Sequence, residues 1–180
     1  MDESKNTGIN WYIKQKNKLA VVPVAEIPTK ENIKNGSNQK LIEIAKLSLL
    51  MQNICLQEDG VGLSAVQIGI PYKIFIAKDY SKSNQFFTFV DCEYEGFGDK
   101  ITSIEGCLSL KTNQNKTRRF KLKRFPKIKI KGFFFNMEGQ FSLIPFEKEY
   151  DGFFCSILQH EIDHHNGILI SDFGTEMEIY

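Results

Sequence analysis

The sequence lacks a long apolar run, since no stretch reaches the roughly 18 residues that a membrane-spanning helix needs. Residues 1–5 read M-D-E-S-K and contain none of the apolar core of a secretory signal. We therefore expect neither a membrane segment nor secretion, and we expect a cytoplasmic protein. No internal repeat or low-complexity linker interrupts the 180 residues, which predicts one domain over 1–180.

Cysteine is scarce, and no two of the four cysteines are spaced as C-x-x-C. Unpaired thiols agree with a reducing cytosol. Cys55, Cys92 and Cys155 adjoin apolar runs and are interpreted as small buried hydrophobic side chains. Cys107 differs because it follows a glycine in E-G-C-L-S, at the end of an irregular stretch. Taken alone, it is equally compatible with a thiol in a turn.

The chain has almost no excess of charge, with a formal net charge of +1. This balance gives no reason to expect binding to DNA. The distribution is uneven, however: residues 111–131 contain ten Lys or Arg and no Asp or Glu. A solvated loop and strand edge is the favoured interpretation. The alternative is a basic patch that binds the phosphate backbone of ribosomal RNA near nascent chains.

Near the end of the chain, residues 160–164 read H-E-I-D-H, an H-E-x-x-H motif. Histidines four residues apart lie on one face of a helix, so His160 and His164 can bind the same metal ion. Glu161 projects beside them and can exchange a proton with water activated by the metal. A surface helix with two solvated histidines is the alternative. His165 lies off the shared face and is not expected to be a ligand.

The residues around this motif predict a buried helix. Asp151 is a candidate N-cap, and Asn166-Gly167 forms a C-terminal stop signal. Apolar side chains recur between them at helical spacing, at Phe153, Phe154, Ile157 and Leu158. We therefore expect the histidines to lie in the core rather than in solvent.

A glycine-rich segment reads G-V-G-L-S-A-V-Q from Gly60 to Gln67. Its glycines allow the backbone to approach a ligand closely, and Gln67 supplies an amide donor. An ordinary turn after the preceding helix is the alternative interpretation.

In combination, the segments G-V-G-L-S-A-V-Q, E-G-C-L-S and Q-H-E-I-D-H resemble the signature motifs of the peptide deformylases. Those motifs read G-x-G-Φ-A-A-x-Q, E-G-C-L-S and Q-H-E-x-D-H, and the resemblance spans about residues 40 to 173. Ser64 stands where the family usually has alanine, and His165 replaces its usual leucine. After E-G-C-L-S the family continues with Val or Ile and then Pro, whereas this chain has Leu110-Lys111.

The resemblance implies that Cys107, His160 and His164 bind one divalent metal ion. Fe(II) is the expected native ion, and Zn, Ni or Co could occupy the same site. A thiolate with two imidazoles also suits such an ion on chemical grounds.

The implied reaction is removal of the N-formyl group from N-formylmethionyl nascent peptides, with release of formate. Glu161 would take a proton from the attacking water and deliver it to the leaving amine. The Gln67 side-chain amide and the Leu108 backbone N–H would donate hydrogen bonds to the formyl oxygen.

By the same resemblance, the peptide substrate adds as a strand beside the extended segments around Gly62 and Gly106. The expected substrate-binding residues are Val61, Gly62, Glu105, Gly106, Ser156 and Ile157. The last two lie one turn before His160 and should form the pocket for the methionine side chain.

Arg124 resembles the family's arginine before a long central strand, and we expect it to pair with Glu105. One more charge in a basic run is the alternative. Asp163 lies between the histidines and is either a second-shell partner or a solvated carboxylate.

Two other functions are compatible with H-E-x-x-H. A zincin-type metallopeptidase would take a third ligand downstream, where Asp172 and Glu176 are the nearby candidates, but E-G-C-L-S would then be unexplained. An inactive, metal-held peptide-binding module is the second.

Hydrophobic periodicity predicts a helix over about residues 39–57, with Ser37 and Asn38 as candidate caps. Strand-like runs follow at 72–77, 85–90, 127–135 and 140–146, the last two joined by a turn at 136–139. This order predicts an α+β fold. In it, antiparallel strands pack around a central metal-binding helix that carries H-E-x-x-H, with an additional N-terminal helix.

Overall fold

The computed structural model describes residues 38–80 and 85–178. Two α-helices lie within them, α1 (Asn38–Gln57) and α2 (Gly152–His165), with short 3-10 helices at Ala65–Ile68 and Ile170–Asp172. The strands are β1 (Gly62–Ser64), β2 (Ile74–Asp79), β3 (Gln85–Phe97), β4 (Ile101–Lys111), β5 (Thr117–Arg124), β6 (Lys127–Asn136), β7 (Ser142–Asp151) and β8 (Thr175–Glu176). Ser37 and residues 1–5, for which we made predictions, lie outside the described residues, as does the side chain of the other candidate cap, Asn38.

The strands form two antiparallel sheets. One has five strands in the order β1-β2-β3-β6-β7, and the other has three in the order β4-β5-β8. Few helices accompany them, so the predicted α+β class with antiparallel strands is confirmed. None of the helices within the described ranges combines the length and the apolar character that crossing a membrane would require.

Helix α1 agrees closely with the predicted span because its apolar residues repeat at helical spacing. Its buried side chains pack with those of β1 and β2 in one core cluster; they are Leu41, Ile44, Ala45, Met51 and Cys55. The helix ends in a tight turn. Asp59 adopts a positive φ of 52°, and the Gly60 N–H donates to the carbonyl of Cys55 at 2.7 Å. This turn leads directly into β1.

Helix α2 covers β1 and β2 and fills a second core cluster with the five-stranded sheet. Its contributing side chains are Cys155, Ile157, Leu158 and Ile162. Asp151 occupies the predicted N-cap position with an extended backbone, but its side chain makes no capping hydrogen bond. Gly167 has a φ of +71° and ends the helix as expected.

The sequence analysis did not predict the three-stranded sheet. Cys107 lies within β4, so its interpretation as the end of an irregular stretch is wrong. The basic residues 117–124 form β5. Strand β6 lies inside the five-stranded sheet between β3 and β7, so the predicted strand edge is also wrong there. The first half of β4 is largely exposed, and its side chains therefore show no clear apolar alternation.

Candidate active site

Helix α2 and strand β4 bring a thiol and two imidazoles together. The ligand atoms of Cys107, His160 and His164 all lie within 4.8 Å of one another, and all three residues are buried. The Cys107 Sγ is 3.4 Å from His164 Nε2. The two histidines lie one turn apart on α2, as the motif spacing requires. Their rings are nearly perpendicular.

A buried charge network surrounds this cluster. The Glu105 carboxylate lies 3.0 Å from His160 Nδ1 and accepts two hydrogen bonds of 2.9 Å from the Arg124 guanidinium. Arg124 also pairs with Asp163, and only 3% of its side chain is exposed. The expected Arg124–Glu105 pair is therefore present. Since Asp163 is buried and paired, it is not a solvated helix-face carboxylate.

The electrostatics of this network favour positive charge at the cluster. Burial alone would raise the pKa of Glu105, but hydrogen bonds to His160 and Arg124 lower that pKa to about 2. Burial would lower the pKa of His160, yet its hydrogen bonds with Cys107 and Glu105 raise that pKa well above its usual value. A thiol, two imidazoles and a carboxylate behind one of them fit a divalent cation.

Glu161 lies beside the cluster and against β1. A Cβ atom at Gly62 would be only 2.5 Å from the Glu161 Oε1, so glycine is needed there to admit the carboxylate. The other oxygen, Oε2, is buried and has no hydrogen-bond partner among the described residues. Burial raises the pKa of Glu161 to about 7. Glu161 is therefore able to accept and release a proton near neutral pH.

Gln67 is held by local contacts at the start of a 3-10 helix. The Ser64 backbone N–H donates to Gln67 Oε1 at 2.8 Å, which turns the amide nitrogen towards β4. That nitrogen donates to Ser109 Oγ at 3.0 Å and lies 3.7 Å from the Cys107 sulfur. The structure thus places an N–H donor beside the metal-ligand cluster.

A cavity of about 400 Å³ opens onto His160 and Glu161. All six residues expected to bind substrate line this cavity, as do Gln67 and Leu108; the six are Val61, Gly62, Glu105, Gly106, Ser156 and Ile157. Cys107 and His164 lie deeper, behind the lining. The sequence motifs therefore converge on one concave site.

The same cavity has lining residues that sequence reasoning did not identify. They are Glu58, Asp59, Thr117, Arg119 and Phe153. Arg119 reaches the cavity because β5 pairs with β4 so that Arg119 lies opposite Gly106. No local pattern predicts that register. Phe153 was interpreted only as part of an apolar stripe, although 64% of its side chain is exposed.

The remaining candidate ligands lie elsewhere. Asp172 accepts a hydrogen bond from the Leu169 N–H at 2.8 Å, and Glu176 pairs with Arg118. Neither belongs to the ligand cluster, which argues against a zincin-type arrangement. His165 contacts the carbonyl of Ile74 at 3.4 Å instead of the cluster.

The chain resembles known proteins over most of its length. A family model described as polypeptide deformylase matches residues 23–178. A peptide deformylase from Desulfosudis oleivorans is 30% identical over 164 residues, which cover 89% of this chain and 81% of that protein. A class I type b peptide deformylase from Acinetobacter baumannii, solved with Met-Ala-Ser bound, is 25% identical with a TM-score of 0.65 and covers 88% of this chain and 92% of that one. A structure of the same protein with actinonin bound has the same identity and TM-score.

Proposed function

The chain belongs to the polypeptide deformylase family, and we propose that it removes the N-formyl group from nascent peptides with the residues assembled around Cys107, His160 and His164. The enzyme is a metal-dependent hydrolase. The observation that carries this assignment is the convergence of a Cys-His-His cluster, a buried glutamate and an amide donor on one cavity. The reaction releases formate and leaves a free amino terminus.

Cys107, His160 and His164 would hold one divalent metal ion, which we propose to be Fe(II) in the cell, with Zn, Ni or Co as substitutes. When bound, the metal acidifies water and polarises the formyl carbonyl. Glu105 supports the choice of ligand atom, since its contact with His160 Nδ1 leaves Nε2 to face the cluster. Arg124 in turn fixes Glu105 through two hydrogen bonds.

Glu161 would carry the proton of the reaction. Its unpartnered Oε2 accepts a proton from the attacking water, and the same carboxyl then delivers the proton to the amine that leaves. The pKa of about 7, which results from burial, matches a group that must gain and lose a proton within each turnover.

The formyl oxygen gains negative charge as the water attacks, and two donors would stabilise it. One is the Gln67 side-chain amide, which Ser64 holds in place. The other is the Leu108 backbone N–H. The ladder between β4 and β5 shifts register between Gly106 and Lys111, so Leu108 has no paired position opposite it in β5. Removing one such donor from an enzyme active site raises the activation free energy by about 2.7–4 kcal/mol.

The peptide would lie in the cavity between Val61-Gly62 and Glu105-Gly106. The Met-Ala-Ser complex of the Acinetobacter baumannii protein supports a peptide ligand for this chain, and its actinonin complex shows that the related protein also binds that compound. Ser156 and Ile157 would then face the methionine side chain, for which the buried Ile157 supplies apolar surface.

Formate release from an N-formylmethionyl tripeptide tests this function, with protein prepared without oxygen and loaded with Fe(II). Glu161→Ala should abolish turnover, a loss of about a hundredfold or more, while metal content stays unchanged. An anaerobic iron-loaded wild type that releases no formate would overturn the assignment. Glu149→Gln, which changes an exposed carboxylate on β7, serves as the matched control and should keep full activity.

We also propose one domain over 1–180 and a cytoplasmic location, where nascent chains emerge. In addition, we propose a weak ribosome contact through the basic stretch 111–131. Six of the ten basic residues there pair with carboxylates, so the other four would make the contact with the ribosome. Arg119, Lys121 and Lys123 are exposed and alternate along β5 with buried Phe120 and Leu122. They therefore form one basic face.

Pelleting with ribosomes at low and moderate salt tests this contact. Reversing the charge of Lys121 and Lys123 together should weaken the association, and added salt should weaken it further. Unchanged association of that variant would exclude the contact and leave the hydrolytic function untouched.

A further inference from the structure

The segment that carries Cys107 and Leu108 is held only partly by its own sheet. Pairing between β4 and β5 is regular up to Gly106, opposite Arg119, and resumes at Lys111, opposite Thr117. The residues between them have no paired positions opposite them in β5, because the register shifts in this interval. Contacts from another direction must therefore fix the position of the Leu108 N–H.

Gln67 supplies one such contact through Ser109, and the turn between α1 and β1 supplies two more. A Cβ atom at Gly60 would lie 2.8 Å from Leu108 Cδ1, so the Leu108 side chain packs directly on Gly60. Three residues further along β4, the Lys111 ammonium donates to the Glu58 carboxylate. Leu108 and Lys111 thus dock onto the same short turn.

Glu58 is a firm anchor for this docking. Its backbone N–H donates to the carbonyl of Ile54 at 3.1 Å, which continues the hydrogen bonding of α1. The ion pair is also shielded, since the side chains of Lys111 and Glu58 are only 16% and 20% exposed. A shielded pair is less screened by salt than a surface pair and is strongly perturbed when one partner is removed.

The turn and the β4 segment both form walls of the cavity. Glu58 to Gly62 line it from the turn, and Glu105, Gly106 and Leu108 line it from β4. We propose that the Lys111–Glu58 ion pair is a positioning contact, which sets the spacing of these walls and aims the Leu108 N–H at the formyl oxygen. The inference rests on the proposed function.

The proposal predicts a particular kinetic signature. A donor to the formyl oxygen acts most strongly in the transition state, so a displaced Leu108 N–H lowers kcat more than it raises KM. Small misplacements of catalytic groups cost one to two orders of magnitude in rate. We therefore expect Lys111→Met and Glu58→Gln each to lower kcat about tenfold or more, with KM changed by less than about threefold.

Steady-state kinetics of the Fe(II)-loaded enzyme on an N-formylmethionyl tripeptide tests this, with the charge-swapped double variant Glu58→Lys/Lys111→Glu included. The swap restores the attraction, so it should recover most of the lost kcat. Glu149→Gln breaks an exposed ion pair and is the matched control, expected within about twofold of wild type. Hydrogen exchange of the peptides covering 58–62 and 105–111 should accelerate in the single variants and slow again in the swap.

Three outcomes would overturn the proposal. They are single variants with wild-type kcat, a swap that is as slow as the single variants while its thermal melting is normal, or hydrogen exchange that is unchanged in both segments. Wild-type turnover in the same assay separates this failure from a failure of the proposed function, which would appear as no formate release from any protein.

Discussion

Ion pairs in two regions of this molecule both join a basic side chain to a carboxylate but lie in different surroundings. Three lysine–glutamate pairs cross β3, β6 and β7, with side chains between 41% and 71% exposed; they are Lys127–Glu149, Lys129–Glu147 and Lys131–Glu93. Beside the ligand cluster, Arg124 pairs with Glu105 and Asp163, and none of these side chains is more than 11% exposed.

The difference in exposure determines how much the charges contribute to stability in each region. Exposed pairs are screened by water and salt, so they contribute little to stability. The buried charges have lost their hydration, and each therefore depends on its partner. The buried network also gives His160 a fixed ring orientation through Glu105, a function that a screened pair cannot supply.

The largest expected effect comes from removing the centre of the buried network. Arg124→Met leaves Glu105 and Asp163 without their cationic partner, and should lower the free energy of unfolding by about 3–5 kcal/mol. Urea denaturation of the metal-free protein measures this.

Arg124→Lys is the matched control. It keeps the charge but loses the planar fork that binds Glu105 through two nitrogens, so an intermediate loss is expected. A loss below about 1 kcal/mol for Arg124→Met would mean that the network is as screened as the surface pairs.

The dependence of stability on pH should show the same contrast. The pKa of Glu105 is about 2 in the folded protein, against an ordinary value of 4.5. A lowered carboxyl pKa stabilises the fold above pH 4.5, and this contribution is lost as the pH falls from 4.5 through about 2.

Denaturation curves of wild type and Glu105→Gln, recorded at several values from about pH 6 to about pH 2, measure this contribution. The free energy of unfolding should fall less steeply with acidity in the variant. Equal slopes for the two proteins would show that Glu105 does not titrate differently on unfolding.

The smallest effect is expected on the five-stranded sheet. Lys129→Met removes one exposed pair with Glu147 and should change the free energy of unfolding by at most about 1 kcal/mol. Raising the salt concentration to about 1 M should reduce the difference from wild type further. A loss as large as that of Arg124→Met would contradict the distinction between the two regions.

Much of the active site could be predicted because its motifs are local. The spacing of His160 and His164 places them on one helical face, and α2 forms as its apolar residues indicate. The resemblance to the deformylases added Cys107 and Gln67, which the structure brings to the same cavity region. Their roles in binding and catalysis stay predictions until they are tested.

The three-stranded sheet was not predicted. In β4 the first half is largely exposed and shows no clear apolar alternation. In β5 buried and exposed residues do alternate, but only Phe120 and Leu122 carry the apolar part of the pattern within a basic run. At Asp151 the predicted N-cap position is correct, but the residue also ends β7 and its side chain makes no capping hydrogen bond.

The sequence by itself determined the features that repeat within a few residues: the two helices, most strands of the larger sheet, and the shared face of the histidines. These follow from backbone geometry, which fixes the direction of each side chain within an element. Only the tertiary structure decided which distant residues meet. The register of β5 placed Arg119 beside Gly106, and the turn after α1 brought Glu58 to Lys111. Such contacts depend on the packing of whole elements, because no local pattern encodes the distance between them.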